Sequence, residues 1–208
     1  MSPQIDIKIV DITRTPHFET LLYRCLAPMP AKKYRQRADY LQQAIPNGLR
    51  KKILILNGVT VGQIEYAPIE GSGYPIYGEQ MIVLHCLWVL RKAKGYRLGQ
   101  HLMNAMFQEH KETKAFVTIG LTEHWSPWLK KDHMELYNFK TVESITVSHR
   151  TKHRDDCFTI HLMWRPNPSA NQQPTWNTSK LLEGITFCRA HPLYHPQHIR
   201  MKEILKIC

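Results

Sequence analysis

The residues best suited to chemistry lie together in 81–107, MIVLHCLWVLRKAKGYRLGQHLMNAMF. Met81 to Leu90 is mostly apolar and of strand length, too continuous for a strand with one wet face, so it predicts a strand covered on both sides. Arg91, Lys92, Lys94, Gly95, Arg97 and Gly99 follow, while Leu98, Leu102, Met103 and Met106 recur at helical offsets. A strand, a basic glycine-punctuated loop and a helix start form an anion site in outline. Glycine lets backbone approach a ligand closely, and the first amides of a helix lack partners within it. The chemistry predicted is the binding of a pyrophosphate. A glycine pair after a strand is common in α/β proteins, so the surrounding elements must decide.

The strand itself carries His85 and Cys86. An imidazole can take a proton near neutral pH, and strict two-residue alternation places His85 on the side of Leu87 and Val89. A histidine in a buried strand is more often hydrogen-bonded structure than a base. Glu79, Glu65, Glu123 and His124, at strand edges or loop ends, compete for the same role. Cys86 reads as a small core residue.

The flanking elements follow from periodicity. Ile5, Ile7 and Ile9 alternate with polar residues as a half-buried first strand would. Thr15-Pro16 predicts a helix start, with Phe18, Leu21, Leu22 and Cys25 on one face, and Pro28 and Pro30 close it. A second helix is expected over 31–45, before Pro46-Asn47-Gly48. Asn57-Gly58 between 51–56 and 59–66 predicts a hairpin with a tight turn, because both central residues tolerate positive φ. Residues 67–80 read as a loop. After the central helix come a β-like run over 115–121, a helix over 125–137 introduced by Ser126-Pro127, and strands over 141–148 and 157–164. The predicted order is β-α-α-β-β-β-α-β-α-β-β, an α/β (α+β) domain with a mixed central sheet.

Composition bounds the function. A chain of 208 residues, 43% hydrophobic, suffices for one well-cored domain and a modest appendage. No uncharged apolar run reaches bilayer length, and MSPQIDIKIVDITRT lacks the basic start and apolar core of a signal peptide, so a cytoplasmic setting without membrane partners is expected. Five scattered cysteines do not suggest a disulfide framework. The net charge of +11 allows a nucleic-acid partner, although the basic residues are spread along the chain.

The loop also carries a resemblance. The register V-x-x-x-x-[QR]-x-x-G-x-[GA] is the acyl-CoA signature of the GNAT superfamily of N-acetyltransferases, and Val89, Lys94, Arg97 and Gly99 fall on its marked positions. Lys94 stands where Gln or Arg is usual, and Arg97 where the middle glycine is usual. The predicted element order agrees with that fold, and the string HCLWV together with the later layout most resembles the YoaP-type acetyltransferases. The resemblance implies acetyl-CoA as cosubstrate, held by the backbone of Leu87, Trp88 and Val89 and by Lys94, Gly95, Tyr96, Arg97, Gly99 and Gln100. It implies direct transfer of an acetyl group to an amine acceptor in a ternary complex. It places the first helix pair at the acceptor wall, so Tyr34, Arg35, Arg37 and Tyr40 become candidate contacts. A homodimer is kept open. Such transfer needs a base for the amine, donors for the oxyanion and an acid for the thiolate. His85 and Glu79 are the candidate bases. Met134 stands where relatives carry a tyrosine acid, leaving Tyr137, one helical turn on, as substitute. Alternatives are a silent acyl-CoA or nucleic-acid binding module, or an acetyltransferase toxin acting on aminoacyl-tRNA.

Residues 166–208 form a proline-rich linker and a short extension, with a strand expected over 184–187 and a helix over 199–208. The layout resembles the start of the thioredoxin-like extension of YoaP-type proteins, but His191-Pro192 replaces its Cys-Pro. Cys188, His191, His195, His198 and Cys208 raise zinc as a question, yet match no standard finger, and no metal is assigned.

Overall fold

A computed structural model of the chain describes residues 5–14, 19–23, 26, 35–93, 95–154, 156–196 and 198–208. Thr15, Pro16, Phe18, Cys25, Pro28, Pro30, Tyr34 and Lys94, together with residues 31–33 of the expected second helix, lie outside them. β1 (Ile7–Asp11), β2 (Arg50–Leu56) and β3 (Val59–Pro68) form an antiparallel meander. At its β2–β3 turn Asn57 and Gly58 have φ of 48° and 78°, the positive pair the hairpin requires. β5 (Met81–Val89) pairs antiparallel with β3, and after α3 (Leu98–Glu109) the chain returns as β6 (Ala115–Thr122), parallel to β5. β8 (Cys157–Pro166), β7 (Lys140–His149) and β10 (Leu205–Ile207) complete an eight-stranded sheet in the order β1-β2-β3-β5-β6-β8-β7-β10. β4 (Ile76–Tyr77) and β9 (Thr175–Trp176) make a separate two-stranded ribbon.

Alternation along the strands builds two cores. Leu54, Ile64, Tyr66 and Leu84 lie under Leu98, Leu102, Met103 and Met106 of α3. Gly62 faces the same helix, and a Cβ there would lie 3.2 Å from Leu102. On the opposite face Ile53 and Ala67 pack with Leu22 of α1 (Glu19–Tyr23) and with Leu41 and Ala44 of α2 (Arg35–Ala44). No helix among the described residues is long and apolar enough to cross a membrane.

Several expectations need correction. The helix over 125–137 shrinks to α4 (Lys131–Glu135), because Ser126 caps a turn at Trp128 instead of starting a helix. No strand forms over 184–187. Ile185 makes a single bridge to Tyr194 before the loop, after α5 (Thr178–Glu183). The stretch 199–208 is not a helix: it supplies β10, which pairs with β7 and covers an edge that would otherwise be open. Leu205 and Ile204 are buried there, and the Arg150 guanidinium donates to the Leu205 carbonyl at 3.1 Å.

The cysteine reading changes as well. Cys157 and Cys208 form a disulfide, because β7 brings the start of β8 and the residue after β10 to one place despite 51 residues of separation. Cys86 and Cys188 are thiols. Cross-linking a loop of that length stabilises by about 2–4 kcal/mol, mostly by restricting the unfolded chain. Cys208→Ser should lower the unfolding free energy by that amount in urea titration. An unchanged midpoint would mean that strand pairing alone secures β10.

Beyond β6, Ser126 donates its N–H to His124 Nδ1 at 3.0 Å, so His124 Nε2 carries the proton and donates to His149 Nε2 at 3.3 Å. Burial, reinforced by neighbouring cations and protonated imidazoles, pushes both rings down to about 4. Burial likewise lowers His85, His110, His161 and His191. The unfolded chain takes these protons near pH 6.5, whereas the fold resists them until lower pH. Their contribution is therefore fully present above about pH 6.5 and is lost as pH falls toward 4. Urea midpoints should decline through that window, and a flat profile between pH 7 and 4.5 would show that the rings are solvated.

Candidate functional site

The site begins where the sheet stops pairing. β5 and β6 are in parallel register only from Met81–Ala115 to Val83–Val117. One further link follows, a hydrogen bond from Thr118 Oγ1 to the Leu84 carbonyl at 3.0 Å. Beyond it the two strands pair only with their outer neighbours, β3 and β8. The β6-facing side of the backbone over Leu87, Trp88 and Val89, to which Leu87 and Val89 turn their amides, is thus left open, and all three residues are half-buried.

The same strand feeds the basic loop. β5 ends at Val89, and Leu90 leads into a single 3-10 turn at Arg91–Ala93. Gly95 has φ of 97°, and Arg97 takes φ 51°, ψ 30°, immediately before α3. Arg97 therefore holds a left-handed backbone that glycine adopts freely, at a cost of about 1–2 kcal/mol for a side chain. Tyr96, Arg97 and Gln100 are exposed, and the first α3 amides open toward the loop. Gly99 lies on the inner side. A Cβ there would stand 2.8 Å from Tyr137 Oη and 4.0 Å from Leu87 Cδ2, which brings Tyr137, Leu87 and Gly99 together at one end of the open strand. Met134 is buried, and Tyr137 sits in the turn after α4, its phenol raised by burial.

The opposite face holds His85. Glu65 pairs with Cys86 and Tyr66 with Leu84, so the register slips and His85 is the extra residue of a bulge. This corrects the expectation from strict alternation: Leu87 pairs with Ile64 on the α3 face, whereas His85 turns to the α2 face and contacts Tyr40. Its ring is 1% exposed, and it lies among Tyr40, Tyr74, Phe187 and His191. Burial lowers its pKa, opposed by Glu65. Among the described residues His85 Nε2 and Trp88 Nε1 have no hydrogen-bond partner.

Beneath His85 lies a buried charge cluster. Arg37 grips Glu65 with two bonds, Nη1 to Oε1 at 2.9 Å and Nη2 to Oε2 at 2.6 Å. Arg37 Nη2 also donates to the Leu22 carbonyl, and Lys51 Nζ lies 3.9 Å from Glu65 Oε2. Burial works against the Glu65 carboxylate, but Arg37, the His85 ring and Lys51 hold it well below the usual range. Glu65 is thus too weak a base for a neutral-pH reaction.

Solved structures share the overall fold, although no protein-family model and no curated protein matches the sequence. A Desulfovibrio desulfuricans protein described as an acetyltransferase of the GNAT family aligns over 77% of this chain and 99% of its own, with TM-score 0.53 and 13% identity. Ard1 from Thermoplasma volcanium aligns over 80% and 99%, with TM-score 0.52 and 14% identity. Arabidopsis thaliana Naa50, in complex with the bisubstrate analogue CoA-Ac-MVNAL, aligns over 78% and 99%, with TM-score 0.51 and 14% identity. This is the GNAT fold.

Within the GNAT fold, the sequence-predicted residues divide in space. Leu87, Trp88, Val89, Gly95, Tyr96, Arg97, Gly99 and Gln100 form a continuous path from the open strand to the α3 start, and Lys94 lies outside the described residues. Glu79 is separated from it. Its side chain is 70% exposed and paired with Lys114 at 2.9 Å, before the paired end of β5 and six residues from His85. The zinc question loses its ligands: Cys208 is in the disulfide, His191 Nε2 bonds Tyr74 Oη at 2.7 Å, and no group of three His, Cys, Asp or Glu among the described residues could hold an ion. Arg37 and Tyr40 do reach the site. Phe187, His191 and Tyr74 were not anticipated; only a charged residue inside apolar β3 hinted at the cluster. Arg37→Met should destabilise the fold by about 3–5 kcal/mol, since it strips a buried carboxylate of its main partner. A loss below 1 kcal/mol in urea titration would mean that Lys51 and solvent compensate.

Proposed function

We propose that the protein transfers an acetyl group from acetyl-CoA to an amine, directly within a ternary complex. The observation that carries this reading is the coincidence of an unpaired β5 edge at Leu87–Val89 with a basic loop and helix start at its end. Naa50, bound to a CoA-peptide bisubstrate analogue on a similar fold, supports it. The residues fit the cosubstrate. Backbone of Leu87, Trp88 and Val89 would hold the pantetheine and polarise the thioester carbonyl, while Lys94, Gly95, Tyr96, Arg97, Gly99 and Gln100 would hold the pyrophosphate. We keep 1–165 as the catalytic region and 166–208 as its extension, with the HCLWV string favouring the YoaP-type relatives.

His85 and Tyr137 sit on the two sides of β5, which suits the two proton transfers. The amine nitrogen attacks the thioester carbon from the α2 side, and His85 Nε2 takes the proton that nitrogen must shed. The carbon–sulfur bond then breaks, and Tyr137 Oη, near Gly99, gives its proton to the departing thiolate. Solvent returns a proton to the phenolate and removes one from the imidazolium. Glu79 has no part in this arrangement.

A second reading is a binding module without turnover, favoured by the rings of Phe187 and His191 closed over His85. Turnover of acetyl-CoA with an amine panel separates the two. Salt-dependent RNA binding without turnover would favour the module, whereas growth arrest on expression would point to an aminoacyl-tRNA acceptor, which the charge of +11 would suit.

Calorimetric titration should show one saturable acetyl-CoA site. Arg97→Glu combined with Lys94→Glu should weaken it at least tenfold, about 1.4 kcal/mol or more, with the fold intact. Unchanged affinity would remove the pyrophosphate from this loop.

A further inference from the structure

Which nitrogen of a neutral histidine carries the proton is set by what the other nitrogen meets. At His85 both contacts of Nδ1 point the same way. Glu65 Oε1 lies 3.8 Å from Nδ1, too far for a strong hydrogen bond but near enough for its charge to act. Arg37 and Lys51 keep that carboxylate ionised, so a lone pair on Nδ1 would face an anion, whereas an N–H dipole there is attracted. Tyr40 Oη lies 3.4 Å from Nδ1. Its one proton has the carbonyl oxygens of Gly71 and Ser72 to serve, at 3.2 and 3.3 Å, so its oxygen turns a lone pair toward the ring.

The remaining neighbours leave this balance alone. His191 Nδ1 accepts the Leu193 N–H at 2.9 Å, so its Nε2 proton goes to Tyr74 Oη. His191 therefore contributes a neutral ring. Cys86 Sγ accepts from Gln63 Nε2 at 3.3 Å. The charges facing His85 are those of Glu65 and Arg37, with Lys51 behind Glu65.

We propose that Glu65 is a positioning residue that holds neutral His85 in the Nδ1–H tautomer, so that Nε2 presents a lone pair to the amine acceptor. The buried Arg37–Glu65–Lys51 cluster thereby acquires a role in the reaction without touching substrate. Nε2, buried and without a partner, is the atom this arrangement keeps available. The proposal rests on the acetyl-transfer reading only for what Nε2 meets; the tautomer is a property of the protein alone.

The test is a long-range proton–nitrogen correlation spectrum of histidine-labelled protein at pH 7.5, with His85 assigned by its absence in His85→Gln. Wild-type protein should show a pyrrole-type Nδ1 and a pyridine-type Nε2. Glu65→Gln should invert the pair. Arg37 has only donors, so it will hold the amide oxygen of the new side chain and turn the NH2 toward Nδ1, which must then accept. Tyr40→Phe should leave the tautomer unchanged, and this arm decides the matter should Glu65→Gln fail to fold. An Nε2–H ring in wild-type protein would overturn the proposal, as would a tautomer unaffected by Glu65→Gln or lost in Tyr40→Phe. Calorimetry of wild-type protein with acetyl-CoA runs beside it. Absent binding sinks the acetyl-transfer reading and leaves the tautomer result standing, whereas binding with the wrong tautomer sinks only the role of Glu65.

Discussion

A parallel strand pair that separates after three residues governs this molecule. β5 and β6 leave Val83 and Val117 in register and then diverge, so backbone donors and acceptors in mid-sheet go without the partners a strand normally requires. Everything nearby answers that deficit. The strand runs into a loop and helix start that also present unpaired amides, and Tyr137 and Leu87 come together beside Gly99. A fold with full pairing there would be more regular and would have no place for an extended ligand between its strands.

The bulge at His85 solves a second problem of the same strand. Two-residue alternation would have sent the imidazole to the α3 face, among Leu102 and Met106, where it would find no polar company. The extra residue turns it to Glu65, Tyr40 and Tyr74 instead. Burying Arg37, Lys51 and Glu65 together is expensive in desolvation, and clusters of this kind contribute less to stability than apolar packing of equal volume. Its position beside the bulge that turns His85 to this face fits control of the histidine better than support for the sheet.

Much of this was legible in the residues. The Asn57-Gly58 turn, the continuous apolar run of β5 and the glycine-marked helix start are local signals, and each formed where the pattern placed it. The bulge was not legible, because apart from His85 the run from Met81 to Val89 is apolar on both faces and carries no mark of register. The end of the chain misled for a different reason. EILKIC has the spacing of a short helix or a strand, and only the unfilled edge of β7 decides between them. Phe187 and His191 meet His85 from a hundred residues away, a distance at which spacing carries no information. Arg97 shows the reverse case: the motif allows glycine, the sequence has arginine, and the backbone adopted the glycine conformation regardless.

The placement of residues 185–207 ties together two parts of the fold that share no strand. Phe187 and His191 wall the chamber around His85, and the same segment runs on to β10 against β7. The Cys157–Cys208 bridge fastens the far end of that segment to the start of β8. Loosening the β7 edge would therefore slacken the wall around the imidazole through one short length of backbone, while the β5 edge and the α3 start, held by other strands, would stay as they are.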